Sequence, residues 1–158
     1  MSYATWDCET TIATRFKRKA NPYIQENWVV THGLKHKGGA VEEYRFGHSR
    51  PPSGWLAPVL KNKDGSWIKL LFGFNIKFDL QHALLDPENL SLWMEYVANG
   101  GMVWDCQLAQ YLLDGQAQAS QMLSLDEVAP MYGGNVKIDE VKLLWQAGVN
   151  TPDIEPAL

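Results

Sequence analysis

Thr5-Trp6-Asp7-Cys8-Glu9-Thr10 places two carboxylates two residues apart in what reads as the first strand of the chain. Side chains alternate faces along a strand, so Asp7 and Glu9 share one face while Trp6 and Cys8 share the other. Like charges held this close repel, and a cation between them relieves the repulsion. Magnesium or manganese suits such a site, because hard ions prefer oxygen ligands and magnesium uses one or two carboxylates together with substrate phosphates. An isolated Asp-x-Glu is more often a solvated strand end; the stretch around Asp79 shifts that balance.

Outward from this strand, residues 10–26 form a polar connection with Arg15, Lys17, Arg18, Lys19 and the turn pair Asn21-Pro22. Residues 27–35 and 40–46 read as two strands joined by His36-Lys37-Gly38-Gly39, which completes a three-strand antiparallel meander. After Pro51-Pro52-Ser53-Gly54, residues 55–60 suit a short helix, and the apolar run 67–74 suits a central strand covered on both faces. Ile76, Asp79, Leu80, Ala83 and Leu84 then fall at helical spacing up to Asp86-Pro87. Residues 90–98 make another helix, closed by Asn99-Gly100-Gly101. Residues 102–104 are a brief strand, and Asp105 starts a helix with Leu108, Ala109, Leu112 and Leu113 on one side. The order predicts an α/β fold: a mixed five-stranded sheet, three strands as a meander and two alternating with helices, with helices on its faces.

The bulk properties bound the rest. The 158 residues suit one domain, with no internal repeat or low-complexity segment. A composition 46% hydrophobic with seven tryptophans predicts a folded chain. The formal net charge of -4 argues against clamping duplex DNA by bulk electrostatics, but not against gripping a few nucleotides through metal ions. Two cysteines, Cys8 and Cys106, are too few for a disulfide framework and predict reduced thiols in a cytoplasmic protein. No apolar run approaches the roughly 20 residues of a membrane span, and no signal peptide precedes the first strand, so no membrane partner is expected. Trp28, Trp55, Trp67 and Trp104 are expected in the core, Trp93 and Trp145 partly exposed at an interface.

Asn75-Ile76-Lys77-Phe78-Asp79 follows the central strand directly, with Asp79 in the first turn of the helix that leaves the sheet. If the first and central strands are neighbours, Asp79 reaches the point where Asp7 and Glu9 lie. Alone, Asp79 would be explained by the helix dipole and Asn75 by an N-cap.

Together these residues carry a family resemblance. Residues 5–10 resemble the first motif, and residues 75–79 the second, of the DnaQ-like (DEDD) 3'-5' exonucleases, in the form of the proofreading domain of bacterial and phage family A DNA polymerases. The segment from Asp105 to Leu113 is similar to the one those domains carry next, and Ser124-Leu125-Asp126-Glu127-Val128-Ala129 resembles the helix after it. The resemblance implies an RNase H-like fold and hydrolysis by two magnesium or manganese ions roughly 4 Å apart. It implies that Asp7, Glu9 and Asp79 are catalytic and hold the metals, and that Thr10, Asn75 and Phe78 contact the substrate. The implied partners are single-stranded DNA or a frayed 3' end and a DNA polymerase in cis or in trans, in a bacterial or phage-infected cell.

The family also needs a fourth carboxylate on a late helix, in a Tyr-x-x-x-Asp or His-x-x-x-x-Asp pattern. No such pattern follows Asp105: Tyr111 is followed four later by Gly115, and Tyr132 by Val136. The expectation is a single domain that stops before its last helix, with reduced activity in this form. Two alternatives stay open: an exoribonuclease, and a non-catalytic RNase H-like module that binds a polymerase, a nucleic-acid end or a host protein.

Overall fold

The computed structural model describes residues 1–12, 20–115, 121–135 and 140–154. Arg15, Lys17, Arg18 and Lys19 therefore lie outside the described residues. Five strands form one mixed sheet: β1 (Tyr3–Thr10), β2 (Val29–His36), β3 (Glu42–Arg45), β4 (Leu70–Gly73) and β5 (Met102–Asp105). Their spatial order is β3-β2-β1-β4-β5. The meander β1-β2-β3 is antiparallel, and β4 and β5 add in parallel beside β1. This is the RNase H-like arrangement expected from the element order, with the first strand at the centre.

The helices are α1 (Ala57–Leu60), α2 (Ile76–Ala83), α3 (Pro87–Ala98), α4 (Cys106–Leu113), α5 (Leu125–Val128) and α6 (Glu140–Gln146). α3 begins three residues before its apolar pattern does, because the Asp86 carboxylate accepts from Asn89 N and Pro87 is preset for a first turn. Asn89 is fully buried, donating to the Ala83 carbonyl at 3.0 Å and accepting from Leu56 N at 2.9 Å, so one side chain ties α1, α2 and α3 together.

Alternation along β1 sorts the sheet's two faces. Ala4, Trp6 and Cys8 point into the core with Leu34 and Leu71, against Leu56, Val59, Leu60, Ile76 and Tyr96 of the helical layer. The opposite face is more open. Strand register puts Tyr3, Leu70 and Met102 in one row and Thr5, Phe72 and Trp104 in the next. Leu70 and Phe72 are only half-buried, so β4 is not sealed on both faces as its apolar run predicts. Trp104 is 52% exposed rather than in the core, because β5 is an edge strand and Trp104 stands on the open face. Of the other tryptophans expected inside, Trp55 is buried while Trp28 and Trp67 are half-buried; the innermost is Trp6. Leu108, Leu112 and Leu113 of α4 also face outward, since the described neighbours do not cover that side of the helix.

Both cysteines are free thiols. Among the described residues no helix is long and apolar enough to cross a membrane.

Candidate functional site

The site forms where β4 stops short of the end of β1. Strand pairing between them covers only Tyr3 with Leu70, Ala4 with Leu71 and Thr5 with Phe72. Lys37 N donates to the Tyr3 carbonyl, so the odd residues of β1 bond toward β2 and the even ones face β4. Cys8 therefore directs its N–H to a side where the strand pairing has ended. The Asp79 carboxylate accepts it.

A tight corner delivers Asp79 there. At Gly73 an added Cβ would lie 2.8 Å from the Cβ of Ile76, so only glycine lets α2 start this close to the strand. Asn75 follows with φ 55°, the left-handed region that asparagine tolerates better than most residues. Its side chain makes no cap hydrogen bond; its backbone N–H donates instead to Asp105 Oδ1 at 3.1 Å. Asp105 also accepts from Gln107 N and Leu108 N, so one carboxylate ties the β4–α2 corner to the start of α4. From this corner helical spacing carries Ile76, Asp79 and Ala83 onto the inward stripe of α2. Ile76 and Ala83 belong there by chemistry. Asp79, at 3% exposure, does not.

The electrostatics follow from that placement. Burial first, then the charge of Asp7, with smaller contributions from Glu9 and Asp105, together push the Asp79 carboxyl up to about 8, against the opposing effect of the Cys8 N–H. Near neutral pH the group is thus largely protonated without a cation. The Cys8 thiol is raised by burial and then by the charges of Asp79, Asp7 and Glu9, which disfavours its thiolate. Asp7 stands on the open face of the sheet, and its cross-strand partner is Gly33, where a Cβ would meet nothing within 4 Å. Space therefore remains beside Asp7. Glu9 is half-buried on the same face.

The structure thus brings Asp79 within electrostatic reach of Asp7 and Glu9, and adds Asp105, which the sequence reading placed at a helix start and at the head of the third resembling segment but not among the site acids. Strand pairing puts it there: Asp105 is in register with Gly73, at the sheet end from which α2 departs. Among the described residues, however, no three His, Cys, Asp or Glu side chains are grouped so as to hold a metal ion. The acids here offer oxygen donors, the kind that hard divalent ions prefer.

The remaining expected residues are distributed unevenly. Phe78 is half-buried with its ring 4.6 Å from that of His82, whose Nδ1 lies 3.1 Å from the Phe78 carbonyl. Asn75 is exposed at the corner. Thr10, expected against the substrate, is 6% exposed and stands on the core-facing side of β1. Lys77 is exposed.

Fold and site together define a five-stranded RNase H-like α/β domain with a cluster of acids at the end of its central strand. No protein-family model and no curated protein matches the chain. Among solved structures it is similar to the family B DNA polymerase of the hyperthermophilic archaeon Pyrobaculum calidifontis, with a TM-score of 0.58 and 16% identity. The match covers 99% of this chain and 21% of that one, so the chain spans about a fifth of the polymerase's length. At this identity the likeness is one of fold.

Proposed function

We propose that this chain is a metal-dependent 3'-5' exonuclease domain that removes nucleotides from DNA 3' ends, proofreading beside a DNA polymerase in cis or in trans. The observation that carries this reading is Asp79: a carboxyl held at about 8 by burial and by Asp7, Glu9 and Asp105, and the only acid among the described residues that is fully buried. A divalent cation beside such an acid favours its ionised form and displaces the proton that otherwise neutralises it. The likeness to part of a DNA polymerase supports the same setting.

Asp7, Glu9 and Asp79 would hold magnesium or manganese, with Asp105 nearby. When bound, the ions supply an activated water and stabilise the leaving 3'-oxygen. The chain itself aims Asp79 through the Cys8 N–H and presents Asp7 and Glu9 on the open face. Phe78 and Asn75, at the corner beside Asp79, flank the path of a terminal nucleotide.

The test uses the protein at its natural length, 5'-labelled single-stranded DNA and manganese. Stepwise shortening from the 3' end that is lost in both Asp7→Ala and Asp79→Ala supports the reading. No shortening in the unmodified protein overturns it.

A second reading, a non-catalytic module of the same fold, is favoured by two observations: the absence of a three-residue metal group among the described residues, and the exposure of Met102, Trp104, Leu108 and Leu112. It predicts binding to a polymerase or a nucleic-acid end that neither mutation alters, without cleavage.

A further inference from the structure

The shortness of β4 leaves a second backbone group at the end of β1. Thr11 N donates to the Trp28 carbonyl on the β2 side, so Thr10, one residue earlier, turns its carbonyl the other way. The Thr151 hydroxyl donates to that carbonyl at 2.7 Å, from a residue itself 6% exposed. Thr151 opens the 3-10 turn Thr151–Asp153. Beyond it, Arg45 Nη2 donates to the carbonyls of Pro152 at 2.9 Å and Ile154 at 2.7 Å, and Ile154 is 7% exposed. The segment is thus fastened at two points, on β1 and on β3.

Strand register shows what lies under it. Glu9 pairs with Thr31, and Thr31 with Arg45, so Glu9 and the arginine that grips the segment stand in one row on one face. The β1–β2 register also shifts between Glu9 and Thr10, an irregularity of the kind that re-aims a side chain. At such a point the direction of Glu9 depends on what fixes Thr10.

We infer that residues 151–154 form a strap that positions Glu9, with Thr151 and Arg45 as positioning residues. The inference rests on the exonuclease reading for the role of Glu9, but the strap itself is measurable without metal. Thr151→Val is close to isosteric and removes only the hydroxyl, Thr151→Ser restores it, and Arg45→Met removes the second fastening from an exposed site.

The experiment follows the Glu9 side-chain resonances, assigned by their loss in Glu9→Gln, and hydrogen exchange at the Thr11 amide, both in metal-free full-length chain; manganese affinity is then measured by titration calorimetry. Thr151→Val and Arg45→Met should displace the Glu9 signal, speed Thr11 exchange about tenfold and weaken manganese binding about tenfold, as loss of a supporting partner behind a metal ligand does. Thr151→Ser should restore all three. An unmoved Glu9 signal in Thr151→Val overturns the inference, as does unchanged manganese affinity in both variants where the unmodified protein binds the ion. If the unmodified protein binds no manganese, the exonuclease reading fails, and the Glu9 and Thr11 measurements alone decide the strap.

Discussion

Replacing Asp79 by Asn should stabilise the metal-free protein at high pH and leave it nearly unchanged at low pH. The carboxyl is raised from 3.8 to about 8 in the folded chain. An acid whose folded value lies above its unfolded value destabilises the fold once ionised, so stability is greatest below the unfolded value and falls as pH rises from about 4 to about 8. At 1.36 kcal/mol per decade, that span corresponds to roughly 5 kcal/mol. Rotation of the carboxylate toward water reduces it, leaving an expected gain for Asp79→Asn of about 2 to 4 kcal/mol at pH 8.5. Asn keeps an oxygen able to accept from Cys8 N, so the substitution isolates the charge. Urea unfolding in a chelator at pH 4 and 8.5 measures the difference, which should also appear as a rise in melting temperature of roughly 5 to 15 °C at the higher pH. Manganese should stabilise the unmodified protein at pH 8 and not the variant. A stability difference that does not change with pH, or a variant less stable at pH 8.5, would refute the reasoning that Asp79 is a buried acid whose ionisation opposes folding.

Three further outcomes follow from the packing. His32, 1% exposed and stacked 4.8 Å from Tyr44, is lowered by burial to about 4, so stability is lost as pH falls from about 6.5 to about 4, by roughly 3 kcal/mol. Because Asp79 acts in the opposite direction over part of this range, the loss is best read as a steeper acid destabilisation in Asp79→Asn that His32→Phe abolishes. Gly73→Ala should cost about 1 to 3 kcal/mol in chemical unfolding, since its Cβ would press on Ile76 at the corner that delivers Asp79, and a neutral result would show that the corner relaxes freely. Asn89→Ala should cost about 3 kcal/mol, because it strands the Leu56 N–H in the core and leaves the Ala83 carbonyl only the 3.3 Å bond from Asp86 N; a loss under about 1 kcal/mol would mean water replaces the side chain.

The sheet was legible because its signals are local. Period-two alternation in β1, the Gly38-Gly39 turn of the β2–β3 hairpin and the alternation of apolar runs with helical spacing each depend on a few adjacent residues. The misplacements arose where exposure depends on what lies across space. Trp104 and the leucines of α4 have apolar side chains that periodicity assigns inward, yet β5 is an edge strand and nothing among the described residues covers that face. Apolarity alone does not say which side of a sheet the helices take.

The candidate site divides in the same way. From the sequence alone came the pair Asp7 and Glu9 on one face of a strand and Asp79 one turn into the following helix, because strand and helix periods fix those directions whatever the surroundings. Only the tertiary structure decided that β4 ends early enough to leave Cys8 N for Asp79 and the Thr10 carbonyl for Thr151, and that Asp105 joins the acids. Those results depend on strand length and on contacts between residues up to 141 positions apart. Backbone hydrogen bonding must be satisfied somewhere, but the partner that satisfies it is chosen by the assembled fold.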